Sequence, residues 1–214
     1  MRKHLNWLVI VVPLFLMILG NGIAWPHLAD RIPIHWNFKG EVDSWGGKGM
    51  IWLLPCLFLW TSFLLSMITL RLPGPHDDAN RKSVLWVQTG IGILFVYIQG
   101  AILKVASDLK TGLSSVFIVW GFGIFMITLS WSFKACKRNN LVGIRTKWTL
   151  ASDENWDRTH RFASSIFTLA GSLMIGTAYF VNLLAPAGIF FTAGGLFLAA
   201  VLATLIYSYR QRPA

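Results

Sequence analysis

The chain has 214 residues, 55% of them hydrophobic and only 13% charged, with a formal net charge of +10. An average soluble domain carries roughly a quarter charged residues, so this balance excludes an ordinary soluble globule and points to a membrane protein. The eleven tryptophans agree, because Trp collects at membrane–water interfaces.

A hydrocarbon core about 30 Å thick needs about 20 apolar residues in a helix. Six runs qualify: 5–25, 50–70, 84–103, 113–133, 162–184 and 187–207, none with an Asp, Glu, Lys or Arg inside. The expected fold is an all-α integral membrane protein, a bundle of six transmembrane helices with an ordered extracellular loop and a structured cytoplasmic loop. It forms a single membrane domain over 1–214. Residues 1–49 are the first span and its loop, 134–161 a cytoplasmic loop, and 162–214 a C-terminal helical hairpin turning tightly near Ala185 and Pro186.

The first run follows Met-Arg-Lys-His and contains Gly22-Ile23-Ala24, which resembles a cleavable secretory signal. The run is long for a signal core and includes Pro13, so it reads as a retained span. With the N-terminus inside, fourteen of the nineteen Lys and Arg fall on the cytoplasmic side. Short basic loops stay cytoplasmic, so both termini are placed there, in a multi-pass protein. The positive charge is thereby read as a topology signal and not as nucleic-acid binding.

The loop at 25–49 has an alternating stretch, Arg31-Ile-Pro-Ile-His-Trp-Asn-Phe, that suits a short strand, followed by Lys39-Gly-Glu-Val-Asp-Ser-Trp-Gly-Gly, rich in turn residues. His27, Asp30, His35, Glu41 and Asp43 match no metal-ligand spacing, and hydrogen bonding within a compact loop explains the same residues. Trp25, Trp36, Trp45 and Trp52 suit a cap lying on the outer headgroups. In the spans, Gln88, Gln99 and Asn182 are the strongest polar groups, and interhelical hydrogen bonds account for them. A small transporter or channel, which would need such groups at membrane depth, stands as the alternative function. Cys56 and Cys136 read as inert thiols. No catalytic motif is present, so no enzymatic activity, cofactor or metal is expected.

The segment 138–161, Arg-Asn-Asn-Leu-Val-Gly-Ile-Arg-Thr-Lys-Trp-Thr-Leu-Ala-Ser-Asp-Glu-Asn-Trp-Asp-Arg-Thr-His-Arg, is denser in polar groups than topology requires. Its first half reads as extended, with Gly143 as a turn. Ser152 then suits a helix N-cap, with Asp153 and Glu154 in the first turn. Glu154–Arg158 and Asp157–Arg161 are i,i+4 pairs, and the helix is expected to continue into the fifth span, where Ser164, Thr168 and Ser172 form a polar stripe. Gly195, Ala199 and Ala203 form a small-residue face on the last span.

Two of these segments carry a resemblance. Residues 30–48, Asp-Arg-Ile-Pro-Ile-His-Trp-Asn-Phe-Lys-Gly-Glu-Val-Asp-Ser-Trp-Gly-Gly-Lys, are similar to the N-terminal module of the SdpI-type bacterial immunity proteins. Residues 138–161 resemble that family's Arg-Asn-X-X-X-Gly-Ile-Arg-Thr signature and the Trp-Thr and Ser-X-X-X-Trp-X-X-Thr-His stretch after it. The resemblance implies location in a bacterial cytoplasmic membrane and protection against a secreted membrane-active peptide toxin. It also implies signalling by holding a transcriptional repressor at the membrane. The matching outer residues are His35, Trp36, Asn37, Gly40 and Asp43, to which the loop adds Trp45 as a recognition candidate. The matching inner ones are Arg138, Asn139, Gly143, Arg145, Thr146, Trp148, Thr149, Ser152, Trp156 and His160, with Arg161 completing the expected cytoplasmic platform. The lipid bilayer is the one partner implied by composition alone.

Overall fold

The computed structural model describes residues 5–37, 41–71, 77–107, 115–184 and 188–212. Six of its helices are long and apolar enough to cross a membrane: α1 (Leu5–Ala24), α2 (Leu53–Leu70), α3 (Asp77–Ser107), α4 (Ser115–Ala135), α6 (Asp153–Leu184) and α7 (Gly188–Arg210). A short helix α5 (Lys147–Ala151) precedes α6. The chain is the expected six-helix membrane bundle. The tight link near Ala185 lies outside the described residues.

The axis of the bundle is α4 packed on α6, with α3 against the other side of α4 and α7 against α6. Lipid tails are as apolar as Leu, so helices in a membrane gain by close approach rather than by hydrophobic sorting. The α4–α6 seam shows this at Gly123 and Gly171. A Cβ added to either would stand 2.8 Å and 2.6 Å from the carbonyl oxygen of the other. Met126, Phe167, Ala170, Met174, Ala178 and Ala200 fill the core around that seam. The outer helices α1 and α2 leave Phe15, Trp60 and Phe63 exposed to what would be lipid.

One expectation about helix faces, the stripe on α6, is corrected. In the stripe, Thr168 does meet α4, donating to Ser130 Oγ at 2.8 Å, but Ser172 is exposed; the tight seam runs through Gly171 instead. On α7 the buried face is Ile189, Ala200, Thr204 and Ser208, which leaves Gly195 and Ala199 exposed. Two of the three polar span residues make the expected interhelical hydrogen bonds: Gln88 donates to Ser62 at 2.8 Å and Gln99 to Asn21 at 2.7 Å.

Between α1 and α2 the chain forms an antiparallel hairpin, β1 (Arg31–Trp36) with β2 (Val42–Gly47). The second strand occupies residues read as turn-rich, because pairing with β1 overrides the low strand preference of Gly and Asp. Irregularities in the register flank His35. Ile32, Leu28 and Ile51 pack with Ala106 of α3, and Asn21 donates to Ile51 O at 3.1 Å. The hairpin is therefore clamped onto one end of the bundle. Asn80 and Ala106, at opposite ends of α3, are separated by about 40 Å of helix at 1.5 Å per residue.

Candidate functional site

At the other end, residues 136–160 fold into a compact knot whose buried polar groups satisfy one another. Asn139 starts it. Its Oδ1 accepts from Leu141 N and Val142 N at 2.7 and 2.8 Å, and its Nδ2 donates to Lys137 O and Val142 O at 2.8 and 3.1 Å. The side chain thus meets its usual hydrogen-bonding capacity locally. Gly143 follows with φ of 105°, where side-chain-bearing residues are strained. The resulting turn brings Ile144 N to His160, whose Nε2 accepts at 3.0 Å.

His160 is buried and stacked on Trp156, with centroids 4.2 Å apart. Its Nδ1 is 2.9 Å from Trp156 O, so the two bonds require a neutral ring with its proton on Nδ1. Trp156 is fully buried and donates from Nε1 to Cys136 O at 3.1 Å. Both ring nitrogens of His160 are thereby committed to structure. Burial pushes the Cys136 thiol up to about 11, against smaller opposing effects of Ser83 and Asn139. Neither group is poised for acid–base or nucleophilic chemistry.

The stretch at 138–150, expected to be extended, instead ends in α5. Thr146 and Thr149 form a reciprocal capping box, and Thr149 Oγ1 also donates to Ile144 O at 2.8 Å. Ser152 caps α6 as expected, accepting from Asn155 N at 3.2 Å. Arg138 reaches across to Asp153 at 2.6 Å and to Leu150 O at 2.8 Å, so it closes the C-terminus of α5. Glu154 pairs with Arg158 at 2.5 Å, but Asp157 turns to Lys137 at 3.1 Å instead of to Arg161. Arg145 and Arg161 are exposed, and no carboxylate among the described residues pairs with them.

The knot's anchors lie partly outside the signature segment. Asn80 of α3 accepts from Lys137 N at 2.8 Å. On α7, Ser208 receives the Trp148 indole on its hydroxyl and Asn155 Nδ2, at 3.1 Å, on its carbonyl. Sequence reasoning missed Asn80 and Ser208. The available signal was a polar residue at the polar end of a span, which is too common to single either out.

At the hairpin end, His35 Nδ1 lies 2.6 Å from Asp43 Oδ1, with the side chains 68% and 42% exposed. Asn37 Nδ2 donates to the Glu41 carboxylate at 2.9 Å, and Asn37 Oδ1 accepts from Glu41 N at 3.1 Å. Trp36 is half-buried and Trp45 exposed, while Lys48 sits 4.9 Å over the Trp25 ring and pairs with Asp30 at 3.8 Å. Gly40 lies outside the described residues. Among the described residues no three His, Cys, Asp or Glu side chains are grouped closely enough to hold a metal. The structure thus gathers the outer and inner candidates into two separate groups at opposite ends of the bundle.

Comparison with known proteins follows the same division. Residues 135–208 match the SdpI/YfhL protein family, and residues 12–59 match a domain of unknown function, DUF1648. Both matches, and the relative below, support a resemblance to the SdpI-type family. Immunity protein SdpI of Bacillus subtilis (strain 168) is 25% identical over 183 residues, covering 85% of this chain and 84% of that protein. No solved structure matches the chain. The SdpI/YfhL match begins at the end of α4 and ends at Ser208, the residue that anchors the knot to α7. The DUF1648 match spans α1, the hairpin and the start of α2.

Proposed function

We propose that this chain protects the membrane carrying it against a secreted, membrane-active peptide. The observation that carries the reading is the likeness, over 85% of the chain, to a protein named for immunity. The Lys and Arg distribution favours the hairpin outside and the knot and termini in the cytoplasm. In that orientation Trp25, Trp45 and Trp52 stand at headgroup level, and Asp30, Glu41 and Asp43 offer carboxylates to a cationic amphipathic peptide. The test expresses the chain in a peptide-sensitive host and follows membrane depolarisation by purified membrane-active peptides. Wild type should raise the peptide concentration needed, and Asp43→Ala with Trp45→Ala should reverse that gain at equal membrane level. Undiminished protection by the double variant would remove the hairpin from recognition, and no protection by wild type would remove the function itself.

The finer part of the reading is signalling, with the knot as the surface that holds a transcriptional repressor at the membrane. Among the basic signature residues, Arg145 presents a charge that the fold itself does not use. Arg145→Ala should therefore abolish repressor recruitment, followed as movement of a labelled repressor to the membrane, while sparing insertion. Full recruitment by that variant would count against the knot as a docking platform.

A further inference from the structure

Where α6 passes from polar to apolar sequence, a crevice of about 330 Å³ opens, lined by Arg158, Arg161, Phe162, Ser165 and Tyr207. The buried polar groups of the knot are mutually satisfied and its unpaired Arg145 stands on an open surface, whereas here a guanidinium is left over inside a crevice. Arg161 is exposed, and its expected partner Asp157 is held by Lys137. Arg158, one turn earlier, is steered into place by Glu154 at 2.5 Å and Gln211 at 2.9 Å, which use two of its five N–H donors. The Phe162 and Tyr207 rings form a flat wall, stacked 4.3 Å apart at 5° and joining α6 to α7.

Depth narrows what such a site can hold. Arg161 is the last charged residue before the apolar run, and Ser165 lies one turn inside it, so the crevice sits at headgroup level. Leu169, one further turn along and exposed, begins the apolar surface that an acyl chain would follow. We propose that the crevice binds the phosphate of an anionic membrane lipid, with Arg161 as the principal ligand and Arg158 as the second. The guanidinium fork suits two phosphate oxygens at once, and Ser165 and Tyr207 supply neutral hydroxyls at the rim. A soluble phosphate ester offers the same headgroup chemistry, but it has no acyl chain for the apolar surface beyond. The bound lipid would bridge α6 and α7 just above the knot, and this holds whatever the protein protects against.

The purified chain is reconstituted in phosphatidylcholine nanodiscs with phosphatidylglycerol as the minor lipid, and native mass spectrometry counts the lipids retained. Wild type should retain phosphatidylglycerol over phosphatidylcholine by about tenfold. Arg161→Gln should fall to parity and Arg161→Lys should keep part of the preference, since the charge stays and the fork is lost. Arg145→Gln, which removes the same charge from the knot, should behave as wild type. Parity in wild type, or equal losses in Arg161→Gln and Arg145→Gln, would overturn the site. Displacement of the lipid by millimolar glycerol 3-phosphate would reassign it to a soluble phosphate ester. If Arg161→Gln leaves the lipids unchanged but loses a bound protein partner, the crevice is a protein contact instead. Should Arg161→Gln fail to insert, Arg161→Lys with Ser165→Ala serves in the same comparison.

Discussion

Replacing Gly143 by alanine should open the knot without unfolding the bundle. At φ of 105° a side-chain-bearing residue costs about 1–2 kcal/mol. The new Cβ would also stand 2.7 Å from His160 Nε2 and 2.9–3.0 Å from the outer edge of the Trp156 ring. Neither ring can swing aside, since Trp156 is fully buried and His160 is stacked on it. Relief therefore requires moving Ile144 N away from His160, which forfeits a hydrogen bond worth about 1 kcal/mol. Together these effects come to about 3 kcal/mol, or about a hundredfold in the population of an opened knot.

Cys136 reports that opening directly. It is 3% exposed and its thiol is pushed up to about 11, so the closed state presents almost no thiolate to an alkylating reagent at neutral pH. With Cys56 replaced by Ser, maleimide labelling of Cys136 should accelerate by about the same hundredfold in Gly143→Ala. Amide exchange at the hairpin end should stay unchanged, because α1 and the strands share no contact with the knot's rings. A labelling rate within a few-fold of wild type would refute the claim that this glycine holds the knot shut.

Trp156→Phe keeps most of the buried ring but strands the carbonyl of Cys136, at a cost of about 1–3 kcal/mol, readable as a lower melting temperature in detergent. Labelling of Cys136 should keep rising with pH through about 10 in the folded protein and level off near the ordinary thiol range once unfolded. The sign follows from the raised value: the folded chain holds the thiol proton more tightly than the unfolded chain does. The stability linked to it is intact below about pH 9 and is lost towards about 11. Gln99→Leu should destabilise by about 1–3 kcal/mol, since it removes the donor to the buried Asn21 Oδ1. Gln99→Leu should cost less in an Asn21→Leu background, where the acceptor is already gone, and a double-mutant cycle showing simple additivity would deny the coupling.

The spans were legible because their signal is length and composition, which a bilayer imposes without reference to packing. The Ser152 cap and the Glu154–Arg158 pair were legible for a similar reason: both are decided within one helical turn. The errors arose where distant residues intervene. Asp157 was assigned to Arg161 by spacing, but Lys137 arrives from the far side of the turn and takes it. The stretch at 138–150 reads as extended from its β-branched residues, yet two of them, Thr146 and Thr149, cap α5 once Gly143 turns the chain. Residues 42–47 read as turn-rich one by one and became a strand only because β1 lay opposite. Asn80 and Ser208 stayed hidden because each is distinguished solely by what it touches.

The segment at 138–161 divides by direction, and the division separates the groups the fold uses from those it leaves exposed. Asn139, Thr146, Thr149, Ser152, Trp156 and His160 spend their polar groups inside the knot, and Gly143 supplies the turn that lets them meet. Arg138 is half in each class, since it closes α5 while remaining part-exposed. Arg145 and Arg161 alone among the signature arginines are left without a carboxylate among the described residues, one on the knot and one at the lipid boundary. A surface presented by so rigid a loop pays little ordering entropy on binding. The knot is also tied to α3 through Asn80 and to α7 through Ser208, and it leads without a break into α6. Displacement of α6 against α7 would strain the Asn155–Ser208 bond directly, whereas Asn80 holds the knot through Lys137, at the end of α4. Ser208→Ala, which removes the hydroxyl that receives the Trp148 indole, and Asn80→Ala should therefore loosen the knot at two independent points, each readable as faster maleimide labelling of Cys136.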